Sequence, residues 1–105
     1  MKQVAPDMRV CLRSADAFVR DGRWSEALVL YESAADTFDR SGLALKAIAI
    51  SRQIVAITTE LAPDFALERL QALRRLERLY TQLALTAEAL EVQRLLRESP
   101  AARRH

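Results

Sequence analysis

The stretch Ala15–Ala34, ADAFVRDGRWSEALVLYESA, leaves this chain few folds to choose from. Ala15 and Phe18 share one helical face, Gly22 breaks the helix and Trp24 follows the break. Ala27, Tyr31 and Ala34 then recur at the three- and four-residue steps of a second helix. A small residue on each helix lets the backbones approach closely while Phe18, Trp24 and Tyr31 fill the flanks. The pattern therefore predicts two helices packed face to face, with Ala rather than Leu required at 15 and 27. Gly22 is free to take the left-handed conformation that ends a helix.

The same steps recur twice. Ala35, Phe38, Gly42, Ala44 and Ala47 repeat Ala15, Phe18, Gly22, Trp24 and Ala27, so the second helix serves two hairpins. Tyr80, Ala84, Thr86 and Ala89 repeat Phe18, Gly22, Trp24 and Ala27 with alanine in the glycine position, and a less sharply formed turn is expected there. This spacing resembles the tetratricopeptide repeat, with Cys11 and Ser14 standing where that family usually has Trp and Leu. Pro63, in TTELAPD, is similar to the Pro-containing link between consecutive repeats. The resemblance implies an all-α chain of antiparallel helix hairpins, a tetratricopeptide-like α-solenoid.

About five helices are expected. The first starts at Pro6 and Asp7 and runs to about Arg20; the second is capped by Ser25 and ends near Ser41. The third holds Leu43, Leu45, Ile48, Ile50, Ile54, Val55 and Ile57 and is expected to be the most buried. The fourth spans roughly Asp64 to Leu83; its three-residue leucine steps smear round the helix instead of keeping a heptad seam. The fifth is capped by Thr86 and runs through Leu96. Residues 1–98 are read as one domain and 99–105 as a tail.

Function is constrained mostly by what is scarce. Sixteen basic and fourteen acidic residues give a net charge of +2, too small to argue for nucleic acid alone. The lone Cys11 excludes an intramolecular disulfide and sits on an apolar helix face, which reads as a structural thiol rather than a nucleophile. The only histidine is His105, so neither a His-based triad nor a zinc site assembles within one chain. No phosphate-binding glycine loop is visible, and the expectation is no enzyme activity, no cofactor and no metal. Without a signal-like or membrane-length apolar run, a cytoplasmic location is expected, with no membrane partner.

Two charged stripes stand out. Glu32, Asp36 and Asp39 follow one another along the second helix, and Arg74 and Arg78, flanked by Gln71 and Gln82, along the fourth. The resemblance implies that such faces line a concave groove receiving a peptide or partner helix. Glu32, Asp36, Asp39, Gln71, Arg74 and Arg78 are thus the expected partner-binding residues, suited to a bipolar partner. The stripes could equally neutralise each other across the groove. The family's carboxylate clamp uses Lys and Asn on these faces, so a ligand other than a chaperone tail is implied.

The expected function is a protein-interaction adaptor or scaffold. Because stacked units expose an end, self-association through Leu90, Leu95 and Leu96, or membership of a longer array, is expected too. Two other readings stay open. One is a nucleic-acid module using Arg69, Arg74, Arg75, Arg78, Arg94, Arg97, Arg103 and Arg104, although only Tyr80 interleaves with them as a stacking aromatic. The other is a purely structural assembly element.

Overall fold

The computed structural model describes residues 7–99. Five helices follow one another: α1 (Met8–Arg20), α2 (Trp24–Arg40), α3 (Ala44–Glu60), α4 (Ala66–Gln82) and α5 (Thr86–Glu98), with no strand among the described residues. Each packs mainly on its neighbours in sequence. The fold is therefore all-α, a run of antiparallel helix hairpins.

Side chains that reach three helices at once define two layers. Tyr31 of α2 has its hydroxyl between Asp16 of α1 and Gln53 of α3, donating to the former and accepting from the Gln53 Nε2 at 3.1 Å. Arg75 of α4 reaches both Glu32 of α2 and Ser51 of α3. Helices α1, α3 and α5 thus form one layer, and α2 and α4 sit in the gaps of the other.

The small residues and Tyr31 of the first hairpin pack as their spacing predicts and Phe18 joins them, whereas Trp24 is half-buried and lies in neither apolar cluster. Ala15, Ala27, Ala34 and Ala35 are fully buried, and the Tyr31 ring is enclosed beside them. Ala15, Ala27 and Tyr31 join Leu28, Ile54 and Ala72 in one apolar cluster, with Leu12, Phe18, Val19, Leu30 and Phe65 packed against it, while Ala47, Ile48, Leu73, Leu76, Leu79, Tyr80, Ala89 and Val92 build a second. Val55 packs against both and joins them into one core. Tyr31, carrying a polar tip on a large apolar body, fits this place because its hydroxyl is hydrogen-bonded.

Three turns share one backbone solution. The Arg23 N–H donates to the Phe18 carbonyl at 2.8 Å and the Gly22 N–H to that of Val19 at 3.0 Å. Leu43 and Gly42 donate likewise to Phe38 and Asp39, and Leu85 and Ala84 to Tyr80 and Thr81. Each is a Schellman ending with a left-handed residue at its apex, at φ 72° for Gly22, 79° for Gly42 and 59° for Ala84. The expected looser turn at Ala84 is corrected: alanine adopts the same geometry because the two hydrogen bonds and the packing on either side hold it there.

Further boundaries differ from expectation. Neither Ser25 nor Thr86 caps its helix: α2 begins at Trp24 and α5 at Thr86 itself, with Arg23 and Leu85 in the capping positions and no side-chain cap. The reason is that the Schellman turn delivers the chain into the next helix after a single residue, which leaves Ser25 inside the first turn. Asp7 does cap α1, its carboxylate accepting from the Arg9 N–H at 3.0 Å, whereas Pro6 lies outside the described residues. Helix α4 starts at Ala66 rather than Asp64, because Phe65 turns left-handed (φ 63°) to put its ring against the core; the link before it contains a cis Ala62–Pro63 peptide.

Helix α4, not α3, contributes most to the core. Leu70, Leu73, Leu76 and Leu79 are all buried although they advance by three. Each three-residue step lags a helical turn by about 60°, so four leucines sweep half the circumference, which suits a helix covered on both sides. Helix α3 leaves Leu45 71% exposed, with Ala49 and Ala56 open to solvent as well. Its apolar surface is wider than its neighbours cover.

Candidate partner-binding groove

The acidic stripe on α2 and the arginines of α4 meet across the groove above α3. Arg75 grips Glu32 with both terminal nitrogens, Nη1 donating to Oε1 at 3.1 Å and Nη2 to Oε2. The Arg75 Nη1 is also 3.5 Å from the Ser51 Oγ, and its Nε lies 3.8 Å from Asp39 Oδ2. Asp39 in turn accepts from Arg78. Burial works against the Arg75 charge, but the Glu32 and Asp39 carboxylates outweigh it and hold its pKa above the usual value. Asp36 pairs instead with Arg40 on its own helix at 2.8 Å.

This face is therefore a self-neutralised staple between α2 and α4, the second of the two states open to it in the sequence. Glu32, Asp39 and Arg78 are brought together as a pairing, while Gln71 and Arg74 are exposed and make no ion pair among the described residues. The central arginine is Arg75, its side chain only 11% exposed. It lies three residues after buried Ala72 and four before buried Leu79, on the edge of the inward face.

On the opposite layer an unfilled groove of about 430 Å³ opens between α3 and α5, floored by α4. Helix α3 supplies Arg52, Val55 and Ala56, α4 supplies Leu73, Leu76 and Tyr80, and α5 supplies Glu88, Glu91, Val92 and Leu95. Glu88 to Leu95 is two helical turns, so the groove is about 10 Å long. Its floor is apolar and its charges stand on the rim. Glu91 is held by Arg94, which also takes Glu98 at 2.9 Å, and Arg94 keeps the Glu91 carboxyl below the ordinary glutamate pKa. Arg52 and Glu88, on facing walls, make no ion pair among the described residues.

The residues expected for self-association divide in the structure. Leu95 and Leu96 lie against the second core cluster, because α5 turns the stripe of Ala89, Val92, Leu95 and Leu96 onto α4 and its surroundings; only Leu90, 59% exposed, faces outward. Ser99, read as the start of the tail, is buried, and its N–H donates to the Leu96 carbonyl at 3.2 Å. The groove was missed in the sequence because Val55 and Leu95 read as core and end. Ala56, a small residue set between Val55 and Ile57 on α3, was the available signal.

Cys11 is half-buried, its Sγ 3.5 Å from the Leu30 carbonyl as a donor, and burial pushes its pKa up. His105, Arg103 and Arg104 lie outside the described residues. No helix among the described residues is long and apolar enough to cross a membrane. Neither family models, curated proteins nor solved structures offer a match to this chain.

Proposed function

We propose that this chain is a tetratricopeptide-like helical-repeat adaptor that holds a segment of a partner protein between α3 and α5. What carries the reading is the open apolar groove of about 430 Å³ over Leu73, Leu76 and Tyr80, rimmed by charge. Binding sites of that size are characteristically concave, apolar and marked by a few polar groups that fix orientation. The binding surface is moved from the α2–α4 face to the α3–α5 face, since Glu32, Asp39, Arg75 and Arg78 already satisfy one another. The same pairing weighs against a nucleic-acid role for those arginines, whose charge is committed internally, as is that of Arg94.

A displayed library of random peptides, selected on the intact chain, tests the reading. Counter-selection uses Ala56→Trp, which fills the groove from an exposed position and leaves the core untouched. Enrichment of peptides that bind the parent and lose binding to the filled variant supports an adaptor. Enrichment of none, or only of peptides indifferent to Ala56→Trp, refutes it.

A further inference from the structure

We infer that the occupant of the α3–α5 groove is an amphipathic helix of a partner protein, with one acidic and one basic flank beside its apolar stripe. The inference rests on the adaptor reading and specifies its partner. The walls are helices whose backbone groups are engaged within the helices, and the floor is hydrocarbon, so the groove offers no strand edge to an extended segment. An extended guest would leave its own backbone amides without protein partners, whereas a helix arrives with them already satisfied.

The dimensions agree. A floor about 10 Å long accepts two large apolar side chains placed three or four residues apart, which stand about 5–6 Å from each other on a helix. Leu76 and Tyr80 underlie that span, with Val55 and Val92 closing the sides.

Charge then sets the flanks. Arg52 stands exposed on the α3 wall and Glu88 exposed on the α5 wall, and neither has an ion-pair partner among the described residues. The other carboxylate of the rim, Glu91, is occupied by Arg94. A guest helix therefore meets a cation on one side and an anion on the other, and its own flanks complement them when one is acidic and one basic. A helix charged alike on both sides gains one attraction and suffers one repulsion.

The experiment uses three labelled synthetic helices of about four turns, sharing two leucines four residues apart and differing only in flanks: acidic with basic, basic with basic, acidic with acidic. Their binding is followed by fluorescence anisotropy on the full chain and on Arg52→Glu, Glu88→Lys and Ala56→Trp, each first shown by circular dichroism to be folded. The parent is expected to prefer the mixed helix by about three- to tenfold over either other, with the preference shrinking in salt. Arg52→Glu should shift the preference to the doubly basic helix, Glu88→Lys to the doubly acidic one. Because a helix can lie in either direction, comparing these three sets removes polarity from the result.

Equal binding of all three, abolished by Ala56→Trp, overturns the charged-flank inference and leaves the adaptor reading standing. Absence of binding overturns the helical guest and leaves the adaptor reading to the peptide selection, whereas binding that Ala56→Trp does not touch overturns both. A concentration-dependent rise in solution mass that Ala56→Trp removes would make a second copy of the chain the occupant, and overturns the partner helix.

Discussion

Ala84→Gly should stabilise this protein although it removes a methyl group. Ala84 sits at φ 59° in the same Schellman turn as Gly22 and Gly42, and its side chain is exposed, so the methyl contributes almost no packing. An L-residue held left-handed costs roughly 1–2 kcal/mol. Glycine returns about 0.4–1 kcal/mol of that through the greater freedom it gives the unfolded chain. The expected net gain is about 0.5–1 kcal/mol, or a rise in melting temperature of roughly 2–8 °C for a domain of this size. Gly22→Ala should lose a similar amount: an added Cβ there meets nothing within 4 Å, so only the torsion is at stake. The control is Ala49→Gly, at an exposed position in the interior of α3, which should destabilise by about 1 kcal/mol through helix propensity. Urea titrations followed by Trp24 fluorescence and by far-UV circular dichroism measure all three. The reasoning fails if Ala84→Gly destabilises like Ala49→Gly, because Ala84 would then be an ordinary helical or loop residue.

Neighbouring arginines on α4 should behave differently. Arg75→Ala leaves Glu32 and Asp39 without their shared partner and should cost about 2 kcal/mol, while Arg74→Ala should stay within about 0.5 kcal/mol, both by chemical denaturation. Tyr31→Ala opens a cavity worth roughly 3 kcal/mol, and Ala27→Leu overpacks the α1–α2 contact by about 1–3 kcal/mol; equal stability of either variant to the parent would contradict the hairpin packing. Burial, aided by Asp16, raises the Tyr31 pKa, so the folded state favours the neutral phenol. That contribution is whole below about pH 10, the unfolded tyrosine value, and is lost as pH climbs from there through the raised folded value; stability against pH should fall less steeply in Tyr31→Phe. Leu95→Asp places a charge against the core and should lower stability by at least about 2 kcal/mol, whereas Leu90→Asp should leave stability unchanged. Light scattering across a concentration series on Leu90→Asp then isolates any role of the α5 outer face in assembly.

The hairpins were legible because their information is local. Small and aromatic residues at helical spacing, closed by glycine, specify which faces meet within about twenty residues of chain, and Ala15, Ala27, Tyr31 and Ala34 are buried as that spacing requires. The repeated aromatic at Phe18, Phe38 and Tyr80 marks three equivalent turns for the same reason. Helix starts were less legible, since Ser25 and Thr86 are capping residues by type while the backbone of the preceding turn decides where a helix begins.

What lay beyond the sequence was everything that joins helices distant along the chain. Glu32 and Arg75 lie on helices with the whole of α3 between them in the chain, and no periodicity reports which of two adjacent arginines turns inward until α3 sets the spacing of α2 and α4. Likewise Leu95 reads as a sticky end, and only the tertiary structure places it half-buried against the second cluster, at the edge of the groove. The groove is the clearest case: it exists because α3 and α5 stand apart across α4, a distance fixed by the side chains packed between layers. Local spacing determines the faces of each helix, whereas cavities and ion pairs across layers are properties of three helices at once, settled by how their volumes fit together.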